Sequence, residues 1–538
     1  MSFATTKNRH AMKRRKKLFA AMLLAPLAVA CEEGVDPQLY PESPDKVYHE
    51  MIQLGQQLED PYNVTNVTKA VEALYPTKAD RVDITPTNLY VRFLPDGEDQ
   101  FDALEQLGVM MTDHPLDYEI LREGDWYHDP ELEDDRITWQ YAVVDKDFVF
   151  PEGVRHEILH ECYLSENDPV TRAATQSWLD WEEVERMAYV LTGNGDRLEP
   201  VTKASGNTPS GRITIEDPDT GAGQTGVAGV QVVCNSFVKF DTAYTDKDGN
   251  YKMKKTYKSD VRYRIVFRNE KSFSIGINLI FIPASVSTLG SGPSTGISVK
   301  VDEVSDEKLF RRCVVNNAVY DYIGKCGPSG MDLTVPPRDL RVWIFKGLTS
   351  SSTVMMHHGA FLQNALIKKY LGDYSPLLGI FLPDITIGTG KDWTYAQIYG
   401  STVHEMAHTS HYSRVGNDYW NKYIEYIITS FVLEGGESYG SGTRENAGYC
   451  EVGEMWGYFM ESYLYQQRYG GSMLPMGDTF WFFPQIHRAL VERGITPGEI
   501  LKAMGPPVTS RDDLKDQLIS LYPEYEATID QVFTRYSR

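Results

Sequence analysis

One five-residue segment constrains this chain of 538 residues more than any other feature. Residues 404–408 read HEMAH, and the hydrophobic periodicity around them predicts a helix over about 393–411. On a helix, His404 and His408 would lie one turn apart on the same face, so both imidazoles could bind one zinc ion. Glu405 lies beside them, where it could take a proton from a water molecule at that ion.

The third ligand separates the subfamilies of zinc metallopeptidases that share this HExxH signature. A metzincin would continue with a glycine and a third histidine, but those two places hold His411 and Arg414. A gluzincin instead takes a glutamate from a later helix. Residues 446–469 predict such a helix, which ends at Gly470.

Residues 453–459, GEMWGYF, resemble the Asn-Glu-Gly-Phe-Ala-x-Tyr segment that carries the zinc glutamate in aminopeptidase N-like gluzincins. The resemblance implies that Glu454 is the third zinc ligand. Glu451, one turn earlier on the same face, is the rival, and Glu461, two turns later, is the third choice. Apolar and aromatic neighbours favour Glu454 as a ligand, because a buried carboxylate needs a partner.

The gluzincin resemblance also implies a tyrosine or histidine that stabilises the oxyanion. The sequence leaves four candidates open: Tyr449, Tyr458, Tyr463 and His487. His411 shares the face of His404 and His408 but lies too far along the helix to join the same site easily, so it either supports the ligands or lies on the surface. His357 and His358 are interpreted as structural or exposed.

The HExxH pattern occurs a second time, at 156–160. It closely follows a proline and a glycine, which leaves little room for a helix before it. A glutamate pair at 182–183 is a conceivable source of a third ligand. The 404–408 segment is the stronger prediction, because it lies late in a long helix and has a better third ligand. His156 and His160 are then ordinary, partly exposed histidines.

The N-terminus has the features of an export signal. A basic block at 13–17 precedes an apolar run of 13 residues at 18–30, which is shorter than the ~20 needed to span a bilayer. Cys31 follows, and the junction resembles the lipobox of bacterial lipoproteins, with Ala28 where leucine is usual. The resemblance implies a lipidated Cys31 and a lipid-anchored protein of the bacterial cell envelope, with the outer membrane as the expected location. An ordinary signal peptide is the alternative.

Charge and cysteine content narrow the choice of partners. Residues 1–30 carry seven Lys or Arg and no acidic residue, so the remaining chain has a net charge of −29. Such a surface repels nucleic acid and anionic headgroups, and membrane attachment would come from the acyl chains.

Five cysteines remain besides Cys31, without the paired spacing of a cysteine zinc site. Cys313 and Cys326 are the nearest pair for a disulfide, and the odd total leaves at least one cysteine without an intramolecular partner.

The chain length indicates several domains, and the pattern of predicted elements makes this a multidomain α+β protein. A signal with its lipidated cysteine (1–31) and a tether (32–45) precede an N-terminal α+β region (46–205) to which the sequence assigns no function. Residues 206–300, rich in Gly, Thr, Val and Ser, predict a small β-sandwich. Residues 306–538 predict a zincin-like catalytic domain, with a mixed sheet plus helices followed by an all-helical subdomain.

Two segments of the predicted sandwich carry a further resemblance. GVAGVQV at 226–232 and TDKDGNY at 245–251 resemble the carboxypeptidase regulatory-like domain, a transthyretin-like sandwich found beside many catalytic and envelope modules. Asp246 and Asp248 are interpreted as turn residues of a hairpin rather than calcium ligands, because the glutamate that closes an EF-hand loop is missing.

Further elements follow from hydrophobic periodicity. Helices are predicted at 49–58, 101–107, 178–191, 307–323 and 360–371. Strands are predicted at 88–93, 340–345 and 377–387, the last as one or two strands broken at Pro383. The helix over 393–411 should begin at an N-cap of Asp392 or Thr394.

Together these features predict a zinc-dependent metallopeptidase that hydrolyses peptide or protein substrates at the bacterial cell envelope. The strand within 377–387 would hold an extended substrate at the sheet edge. The alternative is a non-catalytic envelope lipoprotein that uses a zincin-like scaffold for binding or adhesion. The complete set of His404, Glu405 and His408 favours the enzyme.

Overall fold

A computed structural model describes most of the chain between residues 51 and 536. The described ranges are 51–77, 83–133, 136–168, 179–200, 206–221, 223–276, 284–347, 350–360, 382–434, 439–471 and 480–536. The predicted signal, Cys31 and the tether lie outside these ranges. None of the helices within them has the length and apolar character that crossing a membrane requires.

The described residues form an α+β protein with several sheets and ten α-helices. The strands are β1 Gln53–Gln57, β2 Asn88–Leu94, β3 Met111–Thr112, β4 Tyr118–Arg122, β5 Gln140–Asp145, β6 Arg155–Cys162, β7 Ser210–Glu216, β8 Gln224–Gly226, β9 Val230–Ser236, β10 Lys239–Tyr244, β11 Asn250–Lys252, β12 Val261–Asn269, β13 Phe273–Gly276, β14 Val286–Gly292, β15 Val299–Val301, β16 Leu340–Lys346, β17 Ser352–Thr353 and β18 Ile385–Thr389. The helices are α1 Val64–Leu74, α2 Glu98–Gln106, α3 Trp181–Leu191, α4 Glu307–Lys325, α5 Tyr395–Leu433, α6 Ala447–Tyr469, α7 Gln485–Val491, α8 Pro497–Ala503, α9 Arg511–Leu521 and α10 Glu526–Arg535.

Most of the predicted elements are confirmed within three residues at each end. They are β2, α2, α3, α4, β16 and α6. The helix predicted at 360–371 lies, apart from residue 360, outside the described residues. The helix predicted at 49–58 is wrong, because its described part contains β1, which pairs antiparallel with β4. Gly55 lies inside this segment, and glycine disfavours a helix interior.

The N-terminal region is built around a four-stranded antiparallel sheet in the order β3-β5-β2-β6. Strands β1 and β4 form a separate two-stranded sheet. Helices α1 and α3 bury their apolar faces against each other around Val67, Val71 and Ala188. This region therefore has hydrophobic clusters of its own.

An eight-stranded sheet crosses the boundary predicted between 300 and 306. Its order is β10-β9-β12-β13-β16-β18-β17, with β14 also paired to β12. Strand β13 runs parallel to β16, so the sheet of the 206–300 region continues into the 306–538 region. A smaller sheet, β11-β7-β15 with β8 on β7, shares a single hydrophobic cluster with it that extends from Ile213 to Phe533.

Helix α4 excludes a disulfide between its two cysteines. Cys313 lies inside α4 and Cys326 is its C-cap. At about 1.5 Å per residue the helix separates them by roughly 20 Å, whereas a disulfide needs Cα atoms within about 7 Å. All five described cysteines are free and buried.

Of the one or two strands predicted within 377–387, residues 377–381 lie outside the described residues, and the part after Pro383 is confirmed as β18. Strand β18 itself does not lie at the sheet edge. Strand β16 pairs parallel with β18 on one side, and β17 pairs antiparallel on the other. The Ser352 and Thr386 hydroxyls, 2.8 Å apart, reinforce the second pairing. Among the described strands β17 is therefore outermost on this side of the sheet.

Helix α5 confirms the predicted helix around residues 404–408 and extends it. Thr394 is the N-cap and forms a capping box with Gln397. Gly416 interrupts the helix with φ 75° and ψ −177°, a conformation that favours glycine. A straight helix would separate His408 and Tyr423 by about 22 Å along its axis, yet their ring centroids are 5.8 Å apart. The chain therefore turns back at Gly416 and packs beside the motif.

Candidate metal centre

Three ligand-type side chains from two neighbouring helices converge at one point. His404 and His408 come from α5, and their Nε2 atoms are 3.1 Å apart. Glu454 comes from α6, with Oε2 at 3.4 Å from His404 Nε2 and 3.8 Å from His408 Nε2. The two helices are joined there by Trp456 Nε1, which donates to the carbonyl oxygen of Ala407 at 3.1 Å. The three side chains form a group that could hold a metal ion.

The spacing of the three donor atoms fits a small tetrahedral ion. Zinc bonds of ~2.0–2.2 Å in a tetrahedron place ligand atoms ~3.3–3.5 Å apart, and the separations here are 3.1, 3.4 and 3.8 Å. Glu454 is fully buried, and its Oε2 makes no hydrogen bond of good geometry within the described part of the chain. A buried carboxylate oxygen that faces two imidazole nitrogens is suited to a cation.

A glycine allows α6 to approach the two histidines. A Cβ at Gly457 would lie 2.7 Å from His404 Nε2 and 3.0 Å from His408 Cε1. Both distances are far below ordinary van der Waals contact, so a larger residue would displace the ligand rings. Gly457 thus belongs to the site although it offers no ligand atom.

Two further side chains orient the ligands. Glu461 Oε2 accepts a hydrogen bond from His404 Nδ1 at 3.2 Å, which leaves Nε2 for an ion. The Tyr423 hydroxyl donates to Glu454 Oε1, which leaves Oε2 facing the histidines. Glu461 therefore contacts a ligand side chain, His404, and is not one of the three ligands.

The electrostatics of the group favour one positive charge between its carboxylates. Burial opposes protonation of His404, but the carboxylates of Glu454 and Glu461 outweigh this effect and raise the pKa of His404 well above its usual value. Burial lowers the pKa of His408 to about 3. Burial would raise the pKa of Glu454, but the neighbouring His408 and His404 lower it. A proton on His404 or a metal ion that replaces it would supply this charge.

Glu405 connects the ligand helix to the outermost strand of the sheet. Its side chain is fully buried, and its charge contributes to the raised pKa of His404, so the two groups lie close together. Thr353, on β17, donates from its hydroxyl to Glu405 Oε2 at 2.7 Å. This carboxylate is thereby held beside the metal-binding group.

Of the remaining predicted residues, the structure brings only Tyr458 against a ligand. Its ring is 4.6 Å from the His404 ring, centroid to centroid, and its hydroxyl is 2.8 Å from that of Tyr439. Glu451 instead accepts a hydrogen bond from the Arg511 backbone N–H at 3.3 Å and is outside the metal-binding group.

The other oxyanion candidates have partners of their own. The Tyr449 hydroxyl accepts from Lys422 Nζ at 3.1 Å, and Tyr463 packs on Phe459. His487 is fully buried with its ring 6.0 Å from that of Trp456 and 5.7 Å from that of Phe459.

The structure settles the position of the other histidines near the motif. His411 is buried rather than on the surface, with its ring 5.3 Å from that of Tyr419. His358 Nδ1 lies 2.9 Å from Asp384 Oδ1, a contact that anchors the loop before β18. His357 is partly exposed, 3.5 Å from a carboxylate oxygen of Glu98.

The second HExxH segment lies on strand β6, not on a helix. Residues four apart on a strand are ~13 Å apart, so His156 and His160 cannot share one ion. His156 stacks on Phe150 with ring centroids 4.0 Å apart, and Glu157 pairs with Arg92. His160 contacts Asp60 at 2.8 Å.

Three residues that contact this group were not predicted from the sequence. Tyr423 reaches Glu454 only because the chain turns at Gly416, and Thr353 reaches Glu405 only through sheet pairing. A lone tyrosine or threonine gives no local signal of such contacts. Gly457 did give a local signal, because a glycine inside a predicted helix often marks close packing.

Comparisons with family models, with curated proteins and with solved structures found no match for this chain. The residues of the site and their geometry therefore carry the functional inference.

Proposed function

We propose that this protein is a zinc-dependent metallopeptidase of the gluzincin type. The observation that carries the proposal is the convergence of His404, His408 and Glu454, with spacings that suit a tetrahedral ion, beside the buried carboxylate of Glu405. Two histidines and one glutamate leave a fourth position for water or substrate, as catalytic zinc sites require.

Each residue has a distinct task in this proposal. His404, His408 and Glu454 would hold the zinc ion, which would supply the Lewis acidity that polarises a carbonyl group and makes water acidic near neutral pH. Glu405 takes the proton from the attacking water and delivers it to the leaving amine. Thr353 holds the Glu405 carboxylate in position, and Tyr458, against His404, is the candidate that best suits oxyanion stabilisation.

The substrate class is a peptide or protein at the bacterial cell envelope. An extended substrate would pair with the outermost strand, β17, which also carries the threonine bonded to Glu405. The finer architecture belongs to the same proposal: a lipid anchor at Cys31, a carboxypeptidase regulatory-like sandwich at 206–300 and a zincin-like catalytic region at 306–538.

One observation favours the alternative, a non-catalytic lipoprotein that uses the same scaffold for binding or adhesion. Among the described residues the site is closed: His404 is 3% exposed, and Glu405, His408 and Glu454 are fully buried. Catalysis requires a substrate to reach this group, whereas a structural ion needs no access.

Glu405→Gln separates the two functions. The variant keeps the shape of the side chain but cannot accept a proton, so we expect bound zinc to remain and cleavage of a peptide library to fall by two orders of magnitude or more. Glu451→Gln, on α6 but bonded to Arg511, is the matched control and should retain both. Full activity in Glu405→Gln with zinc bound would refute the role of Glu405 as general base. Bound zinc without any cleavage in the parent protein would support the non-catalytic lipoprotein.

A further inference from the structure

A second group of metal-ligand side chains lies in the N-terminal region. Asp60, His160 and Cys162 each offer one ligand atom, and these atoms all lie within 4.8 Å of one another. His160 Nε2 is 2.8 Å from Asp60 Oδ2. Asp60 is 4% exposed and Cys162 is fully buried, whereas His160 is partly exposed. Carboxylate oxygen, imidazole nitrogen and thiolate sulfur are all donors that zinc accepts.

Strand β6 accounts for two of the three donors. Residues two apart on a strand point to the same face, so His160 and Cys162 project together. The bulge in β6 opposite Tyr90 and Val91 sets His160 out of register with His156, the other histidine of the segment. This histidine can therefore contribute to a metal site through strand spacing, not through helical spacing.

The loop that carries Asp60 is already fixed in position by hydrogen bonds. Tyr62 N donates to Asp60 Oδ1 at 2.9 Å, and Asn66 Nδ2 donates to the Asp60 carbonyl oxygen at 2.9 Å. A β-bridge joins Asn63 to Cys162, which docks the loop onto the end of β6. Donors held in this way need little reorganisation to accept an ion.

A polar cavity of about 470 Å³ borders the group. Asp60 and His160 line it, together with Asp117, Asn63 and Lys69. The cavity gives an ion a route to Asp60 and His160 and leaves room for water or a small ligand as the fourth ligand, while the third donor, Cys162, is fully buried.

We propose that Asp60, His160 and Cys162 bind a second divalent transition metal of the zinc class. The ion would sit between the three donors, with its fourth position toward the cavity. Binding would release the thiol proton of Cys162, because the thiolate is the form that coordinates metals. The site shares no residue with the His404 group, so it stands independently of the proposed peptidase function.

Cobalt substitution distinguishes the two sites, because only the second contains a thiolate. We would remove metal from the purified protein without residues 1–31, add Co²⁺ and record the near-ultraviolet sulfur-to-cobalt charge-transfer band. We expect a band that is complete by two equivalents of cobalt in the parent protein and by one equivalent in His408→Ala, and that is absent in Cys162→Ser. Zinc analysis should give two ions per chain in the parent and one in each of these variants.

Two further variants show whether loss of the charge-transfer band reflects lost metal binding or a folding defect. Cys234→Ser replaces another buried free thiol and should leave the band unchanged. His160→Gln can keep a hydrogen bond to Asp60 but loses a proposed ligand. The cobalt concentration that half-saturates the band should therefore rise at least tenfold. Absence of the band in the folded parent protein would overturn the proposal, as would a band that survives Cys162→Ser.

Discussion

Replacing Gly457 by alanine tests the proposed metal centre directly. The new Cβ would lie 2.7 Å from Nε2 and 2.9 Å from Cε1 of His404, and 3.0 Å from Cε1 of His408. Ordinary contact begins near 3.4 Å, so the His404 ring would have to retreat by about 0.7 Å. Glu461 is bonded to the other nitrogen of that ring, so this retreat disturbs a second contact.

Two opposing terms set the effect of Gly457→Ala on folding. Alanine is favoured over glycine in a helix by ~1 kcal/mol, whereas overpacking a tight core destabilises by ~1–3 kcal/mol. We therefore expect the metal-free protein to lose between roughly zero and 2 kcal/mol of stability. The metal should be affected more, because disturbing the supporting contacts of a ligand weakens metal binding by about 10–100-fold.

The assay is zinc competition against a chromogenic chelator, together with chemical unfolding of the metal-free protein. Gly324→Ala is the matched control: it lies in helix α4, and its Cβ would meet only the flexible Lys271 Nζ at 3.0 Å. We expect the control to bind zinc like the parent protein. Parent-like zinc affinity in Gly457→Ala would refute the close packing of α6 against the ligand histidines.

Two further perturbations follow from the buried polar groups. Tyr423→Phe leaves a buried oxygen of Glu454 without its hydrogen-bond donor. We expect the unfolding free energy to fall by ~1–3 kcal/mol and zinc binding to weaken by about 10–100-fold. If neither changes, the hydrogen bond does not support the site. Burial lowers the pKa of both His411 and His487 to about 3, against about 6.5 in an unfolded chain. The unfolded state then binds more protons below about pH 6.5, so stability is complete above that pH and falls toward pH 3, by ~2 kcal/mol per histidine between about pH 7 and pH 5. His487→Leu should remove one of these contributions in urea titrations at the two pH values, and an unchanged pH dependence would contradict the buried neutral histidine.

The sequence predicted the parts of the site that depend on local spacing. His404, Glu405 and His408 could be placed because four residues make about one helical turn. Glu454 could be assigned from its helix and its resemblance, but its rival Glu451 lies only three residues away. Only the packing of α6 on α5 separates the two, because one faces the histidines and the other faces Arg511.

Features that depend on long-range pairing were harder to predict. The HExxH segment at 156–160 has the local pattern of a zinc helix, yet pairing with β2 makes it a strand. Residues 53–57 likewise form β1 through its partner β4. Strand β18 is not at the edge, because two residues, Ser352 and Thr353, form a further strand outside it. So short a strand leaves no periodic signal in the sequence.

The charge balance of the His404 site bears on the choice between enzyme and scaffold. With Glu405, Glu454 and Glu461 ionised, a proton on His404 leaves two uncompensated negative charges, and a divalent ion with neutral histidines leaves one. An ion therefore stabilises the group in either function. A structural ion, however, needs only His404, His408 and Glu454. A buried carboxylate that binds no ion destabilises the fold relative to an apolar residue, so a scaffold gains nothing from Glu405. A peptidase needs that carboxylate to accept and deliver a proton, which is why its burial beside the ligands favours the enzyme.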